Sequence, residues 1–307
     1  MRFLILGGPG RSGTSFVAER LGFHPRIAAL RGVELKILCE KNGLQDLFHA
    51  LVETYSPNRA AVALGQFGYI ERALLRGQFG QTELTSLAPE DAWADCFRRF
   101  TAELCENGHP VAQGSDVFLS QAHRLLTDIA ALAWGERAGA PAYFLEKTPH
   151  NLLAIRFLAR LVPEAKYLHV MRDPRSIAWS LTTMNWGPDR LESAASWVAS
   201  YCRQWLVAEA EAADLELPLM RVHIEDIVTA PDHTRQALGA WLGLDPAPLD
   251  MKSEAPDMLT RWTGRASQDQ RALLDQLLAG WIHHFGYDMD EVGHRPNAEP
   301  SAPEAAT

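Results

Sequence analysis

Two rhythms of apolar and polar positions alternate along this chain. Short unbroken apolar runs, such as FLIL at 3–6 and YLHVM at 167–171, are bounded by glycine or charge. Runs of this kind read as strands buried on both faces. Between them lie longer stretches with apolar residues three and four apart, the period of an amphipathic helix. The pattern predicts strands over 2–6, 27–30, 143–146, 166–171 and 219–224. It predicts helices over 15–21, 151–161, 174–183, 191–213, 231–242 and 268–285. From about 36 to 141 the rhythm is helical throughout, as in PEDAWADCFRRFTAELCEN and FLSQAHRLLTDIAALAWGERAG. Pro89 and two acids head the first of these segments, where helix N-termini favour them.

Strands alternating with helices predict an α/β fold: a parallel sheet flanked by helices, with a helical insertion after the second strand. A single domain over 1–294 is expected. The tail over 295–307, RPNAEPSAPEAAT, is rich in Pro, Ala and Glu and is expected to be disordered. Open α/β sheets bind ligands at the carboxyl ends of their strands. The loops after Leu6, Leu30, Glu146, Met171 and Ile224 are therefore expected along one edge. On the 191–213 helix, Trp197, Tyr201 and Trp205 recur every fourth residue and read as a core stripe.

Composition narrows the function. The 307 residues carry a formal net charge of -9, which argues against a duplex nucleic acid partner. After Arg2 only four apolar residues precede Gly7, too few for a signal-peptide core, and no later run is long enough to span a bilayer. Cys39, Cys96, Cys105 and Cys202 are widely spaced, with no CxxC pair and no histidine cluster. They read as reduced thiols, and the chain as cytoplasmic.

Candidate chemistry begins at GGPGRSGTS, residues 7–15, between the first strand and its helix. Three readings compete. Gly8 to Ser15 fits a P-loop, but Thr14 stands where a nucleotide triphosphatase carries the lysine that reaches the outer phosphates. Gly8, Gly10 and Gly13 also fit a dinucleotide fingerprint. Its acid at the end of the second strand is missing, because Glu34 lies too far past IAAL. The third reading is a cradle for one phosphate. Backbone N–H groups of the loop and helix N-terminus would serve it, with the hydroxyls of Ser12, Thr14 and Ser15 and the cation of Arg11.

A second motif, YLHVMRDPRSIAWS, sets Arg172 at the end of a strand, with Asp173 as N-cap and Pro174 as N1 of the next helix. Ser180, two turns along that helix, can join Arg172 around a second phosphate. The two motifs together resemble a sulfotransferase of the family that uses 3'-phosphoadenosine 5'-phosphosulfate (PAPS). GGPGRSGTS is similar to the family's 5'-phosphosulfate loop, and RDPRSIAWS to its 3'-phosphate motif. FLEKTPHN at 144–151 resembles the EKTP element of bacterial and glycan sulfotransferases. VHIEDIVTAP, WLGLD and FGYD resemble later parts of the fold. The likeness covers most of 1–289 except the helical insertion. It implies a P-loop-type sheet, PAPS as co-substrate and no metal.

The resemblance also implies roles. The donor would lie on Gly10, Arg11, Ser12, Gly13, Thr14 and Ser15 at one phosphate and on Arg172 and Ser180 at the other. Arg11 would stabilise the leaving phosphate. Glu34, placed as in tyrosylprotein sulfotransferases, would take the acceptor's proton. Lys147 either neutralises the sulfuryl oxygens, orients the acceptor or forms an ion pair with an acid. His150 is the second candidate base. Two departures stand out. Ile224 occupies a position where many relatives have a tyrosine for the 3'-phosphate, and Met184 one where some have a basic residue. Arg261 or Arg265, in MLTRWTGRAS, would then close over that phosphate as a lid. The acceptor is a hydroxyl on a small molecule, a lipid or a peptide, met by the insertion. Twelve acids against seven Lys and Arg between 42 and 140 disfavour a polysulfated one. A small-molecule kinase and a non-catalytic nucleotide-binding module are the alternatives. Oligomeric state is not legible.

Overall fold

The computed structural model describes residues 1–30, 32–76, 84–252 and 259–295. Its elements, in chain order, are β1 (Arg2–Gly7), α1 (Thr14–Gly22), β2 (Ile27–Ala29), α2 (Leu44–Phe48), α3 (Pro57–Leu75), α4 (Glu90–Glu103), β3 (Cys105–Glu106), β4 (His109–Pro110) and α5 (Ser115–Trp134). They continue with β5 (Tyr143–Lys147), α6 (Ile155–Leu161), β6 (Lys166–Met171), α7 (Pro174–Leu181), α8 (Leu191–Asp214), β7 (Leu219–His223), α9 (Ile224–Thr229), α10 (Pro231–Leu242) and α11 (Gln268–His284). A five-stranded sheet runs in the order β2-β5-β1-β6-β7. The fold is α/β, a mostly parallel sheet flanked by helices, as the alternation of rhythms predicts. The expected disordered tail falls on residues that, beyond 295, lie outside the described residues.

The chain divides into two compact units, one formed by Met1–Ile5 and Pro25–Lys166, the other by Leu6–His24 and Tyr167–Thr307. In the first, β2 pairs with β5 in parallel, Ile27 opposite Tyr143 and Ala29 opposite Leu145. The insertion packs through an aromatic cluster. Phe48 meets Phe118 and Phe157, Phe67 meets Phe97 and Phe100, and Phe100 meets Phe118. Ser56 caps α3 by accepting from Arg59 N–H, with Pro57 at the first helical position.

The insertion is not wholly helical. β3 and β4 form an antiparallel hairpin, Cys105 opposite Pro110 and Glu106 opposite His109. Its turn is Asn107-Gly108, both at positive φ (50° and 78°). An Asn-Gly pair is the strongest short hairpin signal because both positions tolerate that conformation. The helix expected to run through Asn107 therefore ends at Glu103. A π-helical turn, His49–Glu53, follows α2. The helix expected over 151–161 starts as a 3-10 segment, Pro149–Ala154, before α6.

In the second unit β6 pairs with β7 in parallel, from Tyr167 opposite Leu219 to Met171 opposite His223. Ile177 and Leu181 of α7, Val198 and Cys202 of α8, and Leu274, Leu278 and Ile282 of α11 share one buried cluster. The expected α8 stripe divides between core and solvent. Trp205 is buried and lies 5.2 Å from the His169 ring, while Trp197 is exposed. All four cysteines are free thiols, and burial pushes Cys202 up to about 12.

Candidate active site

The glycine loop lies in the second unit, between β1 and α1. Gly8 has no room for a side chain, since a Cβ there would sit 2.2 Å from the Val170 carbonyl of β6. Gly13 is the N-cap of α1 in the left-handed region, and a Cβ would meet Ile224 Cδ1 at 2.9 Å. The buried Ile224 thus fills the space beneath the loop, which accounts for an apolar residue at that position. Strand β7 ends one residue earlier than expected, and Ile224 opens α9.

Ser12 is fully buried, and its Oγ has no hydrogen-bond partner among the described residues. An orphaned buried hydroxyl in a loop of backbone donors at the start of a helix is a mark of an anion site. Thr14 is buried within the first turn of α1, and Ser15 beside it is exposed. Arg11 has φ 73°, which an L-residue adopts at a cost. Its Nε donates to Ser180 Oγ at 3.0 Å. Arg172, almost wholly buried at the end of β6, donates from Nη1 to the Arg11 carbonyl at 3.5 Å. Arg11, Arg172 and Ser180, read from separate motifs, therefore meet at one place.

α7 is held for this task. Asp173 caps it by accepting from Arg175 N–H and clasps the Arg175 guanidinium through both carboxylate oxygens at 3.1 and 2.8 Å. Arg175 continues to Asp275 and to the carbonyls of Asp288 and Met289. Arg172 also feels the charge of Glu225 and the Tyr287 hydroxyl, two residues that the sequence reading did not single out. Glu225 accepts from the Asp173 amide at 3.0 Å and from the Tyr287 hydroxyl at 2.8 Å, and burial raises its pKa to about 7.

The segment with Arg261 and Arg265 is anchored by Trp262. That indole is buried, stacks on Trp179 at 5.4 Å and donates to Ser176 Oγ at 2.9 Å. Both arginines flanking it are exposed. Trp186 is exposed too, and a Cβ on Gly10 would lie 3.9 Å from its ring.

Glu34, Lys147 and His150 lie in the first unit. Glu34 Oε1 accepts from Lys147 Nζ at 2.6 Å, and Lys36 lies 3.7 Å from Oε2. The loop that carries Glu34 is braced by β5. Thr148 Oγ1 accepts from the Lys36 amide at 3.4 Å and donates to Glu146 Oε1 at 2.7 Å, and Asn151 donates to the other Glu146 oxygen. Burial pushes Glu146 up to about 7. His150 pairs with Glu40 at 3.0 Å, and that hydrogen bond lowers the Glu40 pKa. Among the described residues no group of three His, Cys, Asp or Glu is placed to hold a metal ion, and no helix is long and apolar enough to cross a membrane.

A glycine loop without the P-loop lysine, joined by an arginine to a second capped helix, sits on a mostly parallel α/β sheet flanked by helices. The chain belongs to the sulfotransferase family: the model of that family matches residues 4–248. It is accordingly a transferase that moves a sulfuryl group to an acceptor bearing a hydroxyl. Among solved structures it is similar to the sulfotransferase domain of the Synechococcus PCC 7002 olefin synthase, at 20% identity and TM-score 0.51, covering 94% of each chain. It is also similar to a sulfotransferase domain of the curacin biosynthetic pathway, at 14% identity and TM-score 0.52, covering 94% of this chain and 99% of that one. At these identities the likeness is one of fold. No curated protein matches the chain.

Proposed function

We propose that this sulfotransferase takes its sulfuryl group from PAPS and transfers it in line to a hydroxyl acceptor. The observation that carries the reading is the meeting of Arg11, Ser180 and Arg172 beside the orphaned Ser12 hydroxyl. A nucleotide with separate 5' and 3' phosphates needs two cradles: the loop at the start of α1 is suited to one, and Arg172 with Ser180 to the other. The 5'-phosphate rests on the amides of residues 12–15 and on Ser12 Oγ. The 3'-phosphate takes Arg172 and Ser180, and Arg261 or Arg265 closes over it.

In the reaction the bond from sulfur to the 5'-phosphate oxygen breaks as the acceptor oxygen bonds to sulfur. Charge grows on the departing phosphate, and Arg11 stabilises it there. The acceptor's proton passes to Glu34, which Lys147 holds in place; the other product is 3',5'-ADP. His150, engaged with Glu40, is the second candidate for the base. Because Thr14 replaces the P-loop lysine, the loop is suited to a single phosphate and not to a triphosphate chain with magnesium. The insertion supplies the acceptor surface for a small molecule, a lipid or a peptide, and the enzyme works in the cytoplasm.

A thermal-shift comparison tests the donor. With 3',5'-ADP at 100 times its dissociation constant, stability rises by about 2.7 kcal/mol without metal, whereas ATP with magnesium and NAD leave the chain unchanged. Stabilisation by ATP with magnesium alone would turn the reading to a kinase.

A further inference from the structure

Glu225, Tyr287 and His223 form a hydrogen-bonded chain in the second unit, and all three are buried to within 4% exposure. Tyr287 Oη stands 2.8 Å from Glu225 Oε2 and 2.9 Å from His223 Nδ1. Its single proton serves one of these partners at a time. If Tyr287 donates to an ionised Glu225, then His223 Nδ1–H donates to Tyr287. If Glu225 is protonated, it donates to Tyr287, and Tyr287 donates to a bare His223 Nδ1. Both arrangements leave the chain fully hydrogen-bonded, and they differ by one proton. A proton arriving at His223 Nε2 moves the Nδ1 proton to Tyr287 and the Tyr287 proton to Glu225. His223 also lines a cavity of about 20 Å³ with Asp226, His233 and Thr234, room for about one water that can deliver the proton.

We propose that Glu225 is a positioning residue that acts through Arg172, and that a 3'-phosphate arriving on Arg172 draws one proton along this chain onto Glu225. The inference rests on the donor reading above. Arg172 feels the charges of Glu225 and Asp173, the Tyr287 hydroxyl and the Arg11 guanidinium. With no phosphate bound, ionised Glu225 balances the buried guanidinium. A phosphate dianion makes that charge superfluous and repels it, so Glu225 takes up a proton.

The other charges around the chain are committed. Asp173 is clasped by Arg175. Arg295 pairs with Asp226 and lies over the Tyr287 ring at 5.8 Å. Arg221 and His169 hold Glu209. Burial pushes Tyr287 up and His223 down, so near neutral pH both stay uncharged, while burial brings Glu225 to about 7. The sign follows. The bound state favours protonated Glu225, so affinity is full below about 7 and falls as pH rises through that value.

Calorimetry of the full chain with 3',5'-ADP, in buffers of different ionisation enthalpy between pH 7 and 8.5, tests this. The nucleotide's phosphates titrate near 6 and are mainly dianionic throughout that window. Wild type is expected to take up most of one proton at the upper end and to lose about tenfold in affinity across the range. Binding of 5'-AMP, which lacks the 3'-phosphate, takes up none. Glu225→Gln keeps every partner: its carbonyl accepts from Asp173, and its amide donates to Tyr287. It is expected to bind 3',5'-ADP without proton uptake and with less than a twofold pH effect. Binding by wild type without proton uptake overturns the inference alone, whether or not the variant folds. A pH slope retained in Glu225→Gln does the same. A chain that does not bind 3',5'-ADP overturns the donor reading and this inference with it.

Discussion

Arg11 holds a left-handed backbone, φ 73°, at a cost of about 1–2 kcal/mol to an L-residue. What it gains is a side chain aimed at Ser180 and a carbonyl aimed at Arg172. Removing the partners separates their shares. Hydrogen bonds to charged groups contribute about 1.5–3 kcal/mol, which is roughly ten- to 150-fold in affinity. Arg172→Ala is expected to weaken 3',5'-ADP binding by at least that much, and more than Ser180→Ala, because it also removes Coulomb attraction; titration calorimetry ranks them. Unchanged binding by Arg172→Ala would make that arginine structural. Glu34→Gln separates binding from chemistry. It keeps size and polarity but is no useful base, so it should bind 3',5'-ADP as wild type does and lose about 10²–10⁴ in turnover of an aliphatic alcohol. Near wild-type turnover would move the role to His150.

Elements set these residues in place, and their legibility varied with the physics behind them. β6 and α10 fall at their expected bounds, because an apolar run before Arg-Asp-Pro and a proline-headed helix carry local signals. The positions of Arg11, Arg172 and Ser180 were legible because strand ends and capped helices carry local signals. Long-range contacts leave no such trace. Nothing local announces that Tyr287 will reach Glu225, or that Ile224 will sit under Gly13. The hairpin at Asn107-Gly108 did have a local signal, overridden by the helical rhythm before it. Glu209 of α8 is another long-range anchor. Burial would raise its pKa, but hydrogen bonds from His169 and Arg221 bring it from 4.5 to about 2. A depressed carboxylate contributes stability above its unfolded pKa and loses it as pH falls through the folded one. Unfolding midpoints should therefore drop between pH 4.5 and 2 by the equivalent of about 3 kcal/mol, and Glu209→Gln should flatten that drop. An equal acid slope in the variant would show that other groups carry it.

For the whole molecule, a chain of net charge -9 sets Arg11 and Arg172 together beside the glycine loop, and that local positive charge is what the proposed anionic donor would meet. Sulfotransferase membership gives the reaction, and the proposal adds a donor whose two phosphates meet two separate cradles. The difference between 3',5'-ADP and 5'-AMP isolates the second of these, since only the 3'-phosphate distinguishes them. Calorimetry of both nucleotides with the full chain, in EDTA and at one pH, is the direct measurement. 3',5'-ADP is expected to bind without metal and roughly ten- to 150-fold more tightly than 5'-AMP. Equal affinity for the two nucleotides would contradict it.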